Sequence, residues 1–125
     1  MKAKAILSWI VAVLLALAFL GAGSAKLTSQ PMMVTNFAAW GFPGWFLYVT
    51  GAIEVVSAIL LLIPRAALIG TGLLICTMIG ALLTHLTHGQ AAMIGAPLVL
   101  LLLLLLFGWL RGCGDQQYGA APGGG

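Results

Sequence analysis

Four apolar runs, each about 20 residues long, leave this chain few folds to choose from. They cover residues 5–25, 45–63, 66–86 and 91–110. At about 1.5 Å of helical rise per residue, each spans about 30 Å, the thickness of a bilayer's hydrocarbon core. Lipid offers no partner for backbone N–H and C=O groups, so each run has to satisfy its own and must be helical. Charged residues make up only 6% of the chain. A water-soluble domain carries about 25%, so this composition cannot coat a solvated surface. The five Lys and Arg residues are too few and too scattered for a nucleic-acid footprint. The expected fold is all-α: one antiparallel bundle of four transmembrane helices.

The first run also has features of a secretory signal, with Lys2 and Lys4 before it and Gly23-Ser24-Ala25 near a possible cleavage point. Its uncharged stretch is longer than the usual apolar region of about 7–15 residues, which favours a true span. With four spans, Lys2, Lys4, Arg65 and Arg111 fall on one side and only Lys26 on the other. The positive-inside rule then places both termini in the cytoplasm. Pro64-Arg65 and His85–Gln90 are short connections, which force neighbouring helices to run antiparallel.

The connection between the first two spans is the longest. Pro31 suits a helix start, Met33, Phe37 and Trp40 recur at helical spacing, and Gly41 can end the helix. These residues predict a short amphipathic helix on the outer face, with Trp40, Phe42, Trp45, Phe46 and Tyr48 as an aromatic belt. The fourth run holds seven consecutive leucines, Leu100 to Leu106, expected to face lipid on most sides. Residues 112–125 are Gly-rich and read as a flexible tail.

Glu54 is the most informative residue. It lies nine positions from either end of its run, near the middle of the bilayer. An acidic side chain there costs about 2.5–3.5 kcal/mol even on insertion scales, so it needs a function or a structural partner. Thr50, Gly51, Ser57 and Ala58 share its helix face as a small, partly polar stripe that suits contact with other helices. One reading gives Glu54 a proton to handle or a polar head group to bind; the other makes it a clamp within the bundle. Lys26 is its best partner, with a depth difference that predicts a bridging water or ligand. In the third run Gly72, Cys76, Gly80 and Thr84 recur every four residues, predicting a helix-packing stripe with Cys76 in the core. His85 lies beside it and points toward the same interior, where it could relay a proton. His85 and His88 lack a third ligand, so no metal site is expected. Cys113 follows the last span, where reversible acylation is a weak possibility, and no CxxC pair occurs.

Several segments taken together resemble the DoxX family of small membrane proteins. They are Gly23-Ser24-Ala25-Lys26-Leu27, Phe37-Ala38-Ala39-Trp40-Gly41-Phe42-Pro43, Gly51-Ala52-Ile53-Glu54, and Ala81 through His85. The resemblance implies a four-helix bundle in a bacterial cytoplasmic membrane. It maps the family's Lys, Glu and His onto Lys26, Glu54 and His85; the pattern of the residues themselves adds Thr50, Gly51, Ser57 and Tyr48 as expected supporting residues. It further implies an accessory subunit of a membrane redox assembly, not catalytic alone and able to contribute to a quinone or proton site. Any redox centre would then sit in a partner, within a larger complex or a homo-oligomer. A scaffold or assembly factor is the alternative, and a small-solute or proton carrier is a third reading.

Overall fold

The computed structural model describes the backbone of residues 2–120 and side chains up to residue 112. The chain forms α1 (Lys2–Leu27), α2 (Pro31–Ala39), α3 (Gly44–Leu61), α4 (Ala67–Thr87), a 3-10 turn (Ala91–Met93) and α5 (Gly95–Ala120). Among the described residues, four helices are long and apolar enough to cross a membrane: α1, α3, α4 and the Gly95–Gly112 part of α5. They pack in a ring in the order α1, α3, α4, α5, with α5 closing back on α1. Each short turn reverses direction, so ring neighbours run antiparallel.

The element boundaries follow local chemistry. Pro31 begins α2 at a position where its missing N–H costs nothing, and Gly41 follows the helix with φ +82°. The last span starts at Gly95, four residues later than the apolar run predicts. A start at Gly95 keeps Pro97 in the first helical turn; a start at residue 91 would have put it inside the helix, where its ring clashes and a hydrogen bond is lost. The expected tail, 112–125, and Cys113 fall mainly on residues whose side chains are not described.

The core sits toward the end of the bundle that carries Lys2, Lys4, Arg65 and Arg111. Val11, Leu15, Leu61, Leu74, Leu104 and Phe107 are buried there. On α1 the buried positions Ser8, Val11, Ala12, Leu15, Ala16 and Phe19 recur at steps of three and four, as one helix face requires. Cations hold the α1–α5 seam in both directions. Arg111 of α5 lies 4.7 Å from the Trp9 ring and donates from Nε to Ser8 Oγ at 2.6 Å, while Lys4 of α1 lies 5.1 Å from the Trp109 ring. Leu104 is fully buried, and Leu100, Leu101 and Leu103 pack against the core. Leu102, Leu105 and Leu106 are exposed, so the run turns one narrow stripe inward and leaves its other sides to lipid, in keeping with the expectation. A run of seven residues covers nearly two helical turns and cannot present one face alone.

Two packing expectations change in α4. Its contact stripe is Ala67, Gly70, Thr71, Leu74 and Met78, all buried. A Cβ on Gly70 would lie 2.7 Å from the Ser57 carbonyl oxygen, so Gly70 is the glycine that lets α3 and α4 touch. Gly72 and Gly80 meet nothing within 4 Å, and Cys76 is exposed. The Cys76–Gly80–Thr84 stripe is displaced around the helix from the packed one. As described below, it faces open space inside the bundle.

Candidate functional site

Away from the basic end the four helices line a half-open cavity of about 540 Å³, and α2 lies across it. Phe37 of α2, Trp40, Phe42 and Phe46 form a connected aromatic cluster at this boundary, with ring centroids 4.9–6.3 Å apart. Only part of the expected aromatic belt is outward: Trp45 is 63% and Tyr48 45% exposed, whereas Trp40, Phe42 and Phe46 line the cavity. The division follows α3's own geometry, which puts Phe46 on the Thr50 face and Trp45 and Tyr48 on the opposite side.

Glu54 reaches this cavity from α3 and Lys26 from α1. Two glycines set their meeting. A Cβ on Gly51 would come within 2.9 Å of both the Gly23 carbonyl oxygen and Lys26 Cβ. A Cβ on Gly23 would come within 2.8 Å of the Gly51 carbonyl oxygen. The two backbones can therefore approach only where both side chains are absent. That approach lays the Lys26 stem over Gly51 and lets it run inward, so that Nζ lies 2.7 Å from Glu54 Oε1. The expected bridging water or ligand is not needed, because the long stem spans the depth difference once α1 can press against Gly51. The two side chains are 12% and 2% exposed, so both charges are largely desolvated. The contact is close but poorly directed, and Glu54 Oε1 is buried without a well-formed hydrogen bond.

His85 lines the cavity from α4. Its Nδ1 is 2.9 Å from Gln90 Oε1, and Trp40 Nε1 donates to the same oxygen at 3.0 Å. Trp40 also meets His85 edge to face at 5.3 Å. Indole N–H can only donate, so the shared Gln90 atom is an acceptor, and His85 Nδ1 must carry the proton in that bond. Gln90 thus ties the end of α2 to the end of α4. Nothing in the sequence pattern singled it out, since a lone amide in a turn carries no periodic signal. His88 is turned away from the cavity, with Nδ1 2.8 Å from the Thr84 carbonyl oxygen at the helix end.

The structure brings Lys26, Glu54, Thr50 and His85 to one cavity and leaves the other supporting residues elsewhere. Gly51 is the floor of the α1 contact. Ser57 is wholly buried one turn deeper, its Oγ without a partner. Tyr48 faces outward, with its hydroxyl against Ser29 Oγ. Asn36 and Cys76 line the cavity although the pattern did not mark them as site residues. Among the described residues, no three His, Cys, Asp or Glu side chains gather as a metal set would require.

Four apolar spans around a polar-floored cavity define an integral membrane protein of the small four-helix class. Residues 10–107 match the DoxX-like family, and the chain belongs to it. It is similar to a Bacillus subtilis (strain 168) protein described as uncharacterized protein YdgD, at 30% identity over 103 residues, 79% of this chain and 90% of that one. No solved structure matches it.

Proposed function

We propose that the protein is an accessory subunit of a membrane redox assembly whose cavity takes the head group of a quinone. The observation that carries this reading is the cavity itself: aromatic and apolar walls, one desolvated Lys26–Glu54 pair, and His85 on a separate helix. Lipophilic ligands bind in such settings, where apolar walls supply affinity and a few placed polar groups fix orientation. About 540 Å³ suits a single substituted ring with the start of its tail. Lys26 and Glu54 would hold one ring oxygen or exchange its proton with the interior, and His85 would meet the ring from α4. The basic residues at the opposite end favour both termini in the cytoplasm, in the inner membrane of a bacterium. The cavity then opens in the outer half of the bilayer, and the electron carriers belong to the partner.

Purification in mild detergent with mass spectrometry of proteins and lipophilic small molecules tests this reading. Quinone on the isolated chain supports it. Partner proteins recovered without quinone would favour a scaffold role instead. A Glu54→Gln variant that assembles normally and keeps full quinone-dependent turnover would remove Glu54 from the mechanism.

A further inference from the structure

Resting on the quinone-site reading, we infer that the cavity opens sideways into lipid between α3 and α4, and that the ligand's apolar tail leaves through this mouth. The site is thereby assigned to an amphiphile with one long tail, drawn from the bilayer, and not to a small solute drawn from water.

Residues that line the cavity and also reach the outer surface locate the mouth. Ile53 of α3 is 38% exposed, and Cys76 and Gly80 of α4 are exposed, yet all three line the cavity. Helix geometry puts them along one seam. On α3, Ile53 lies one turn from Ser57, whose carbonyl meets Gly70 of α4, and on the side away from Gly51 and α1. On α4, Thr77 lies two turns beyond Gly70 on the same face, with Gly80 and Cys76 beside it. Gly70 closes the seam toward the basic end. Further out the seam has parted, and a Cβ on Gly80 would meet nothing within 4 Å.

Depth decides what the mouth faces. Cys76 lies eleven residues and Gly80 seven residues from the outer end of α4 at Thr87, about 16 and about 10 Å along the axis. Half of the hydrocarbon layer is about 15 Å thick, so both positions stand against acyl chains. Met93 and Ala96 also line the cavity and are exposed, but they belong to the outer turn and the start of α5, at the level of the head groups.

The chemistry of the mouth fits hydrocarbon. Thr77 donates to the Leu73 carbonyl and Thr50 to the Phe46 carbonyl, each at 2.9 Å, which leaves neither hydroxyl proton for a passing solute. Ile53 is apolar, Gly80 adds no side chain, and a thiol is a weak hydrogen-bond partner. A polar molecule crossing here would lose its water without replacement bonds. A cavity of about 540 Å³ holds a ring and the start of its tail, so the rest of a long tail must lie outside, and this mouth is an apolar way out.

The test uses the full chain in nanodiscs and decylubiquinone bearing a diazirine midway along its tail. After illumination, mass spectrometry should place most of the protein-bound label on α3 and α4 around Ile53 and Cys76. Gly80→Phe should weaken decylubiquinone binding at least about tenfold relative to wild type by displacing the tail, and change binding of the same benzoquinone without a tail less than about threefold. Ala96→Phe, at the outer turn, should change neither. Should Gly80→Phe fail to fold, the label on the wild-type protein still decides. Label concentrated on α1 and α5, or equal weakening of both quinones by Gly80→Phe, overturns the mouth and leaves the quinone site standing. Binding of neither quinone to the wild-type chain overturns both.

Discussion

The two ends of this bundle use the same kinds of side chain and reach opposite results. At the basic end, Leu15, Leu61, Leu74, Leu104 and Phe107 interlock with no exposure, and reciprocal cation–ring contacts hold α1 to α5. At the other end the helices leave a half-open volume between them, and the two desolvated charges meet at its edge. Helix contact in lipid depends on close packing, because lipid tails compete equally well for an apolar surface. Glycines therefore decide where helices close: Gly70 draws α4 onto α3 near the basic end, and Gly23 with Gly51 draws α1 onto α3 beside Glu54. Gly80 and Cys76 on α4 have no helix against them, and the space in front of them stays open.

Substitutions can break this contrast in a definite order. The largest effect should come from Lys26→Met, which leaves the Glu54 carboxylate buried and unpaired, at a cost of about 3–5 kcal/mol. Reversible unfolding in mixed micelles measures it, and adding Glu54→Gln should recover most of the loss. A Lys26→Met protein as stable as wild type would show that the pair holds nothing.

Next is Phe107→Ala in the filled half, expected to cost about 3 kcal/mol by leaving an unfilled space. Phe46→Ala beside the cavity should cost about 1 kcal/mol, because fewer neighbours lose contact. Equal losses in the same unfolding assay would mean that the two halves are packed alike.

Gly51→Ala should follow, costing about 1–3 kcal/mol through overpacking. Its methyl would collide with the Gly23 carbonyl and the Lys26 stem. A crosslinking or spin-label distance between α1 and α3 should lengthen at the same time. An unchanged distance with unchanged stability would argue against backbone contact as the device that sets the ion pair.

The smallest effect belongs to Gly72→Ala. With nothing within 4 Å of the new methyl, the substitution should stabilise by about 0.5–1 kcal/mol through helix propensity alone. Destabilisation there, read by the same unfolding curves, would restore Gly72 to the packing stripe and overturn the assignment to Gly70.

Much of the architecture is legible in the sequence. The length of the apolar runs fixed four helices, Pro31 and Gly41 framed α2, and a carboxyl group halfway along a span demanded an inward aim. Each of these rests on a one-dimensional constraint: the rise per residue, the fixed φ of proline, or the cost of charge in lipid.

Tertiary structure alone decided which of α4's two small-residue stripes packs and which lines open space. Both stripes recur every three or four residues, and in lipid the outward face is as apolar as the inward one, so hydrophobic pattern carries no sign. Lys26 touching Glu54 directly, and Gln90 joining Trp40 to His85, depend on where separate helices come to rest. The sequence by itself determined that a buried acid must exist and roughly at what depth. What surrounds it came from backbone approach at Gly23 and Gly51, a contact between residues 28 positions apart that no local pattern encodes.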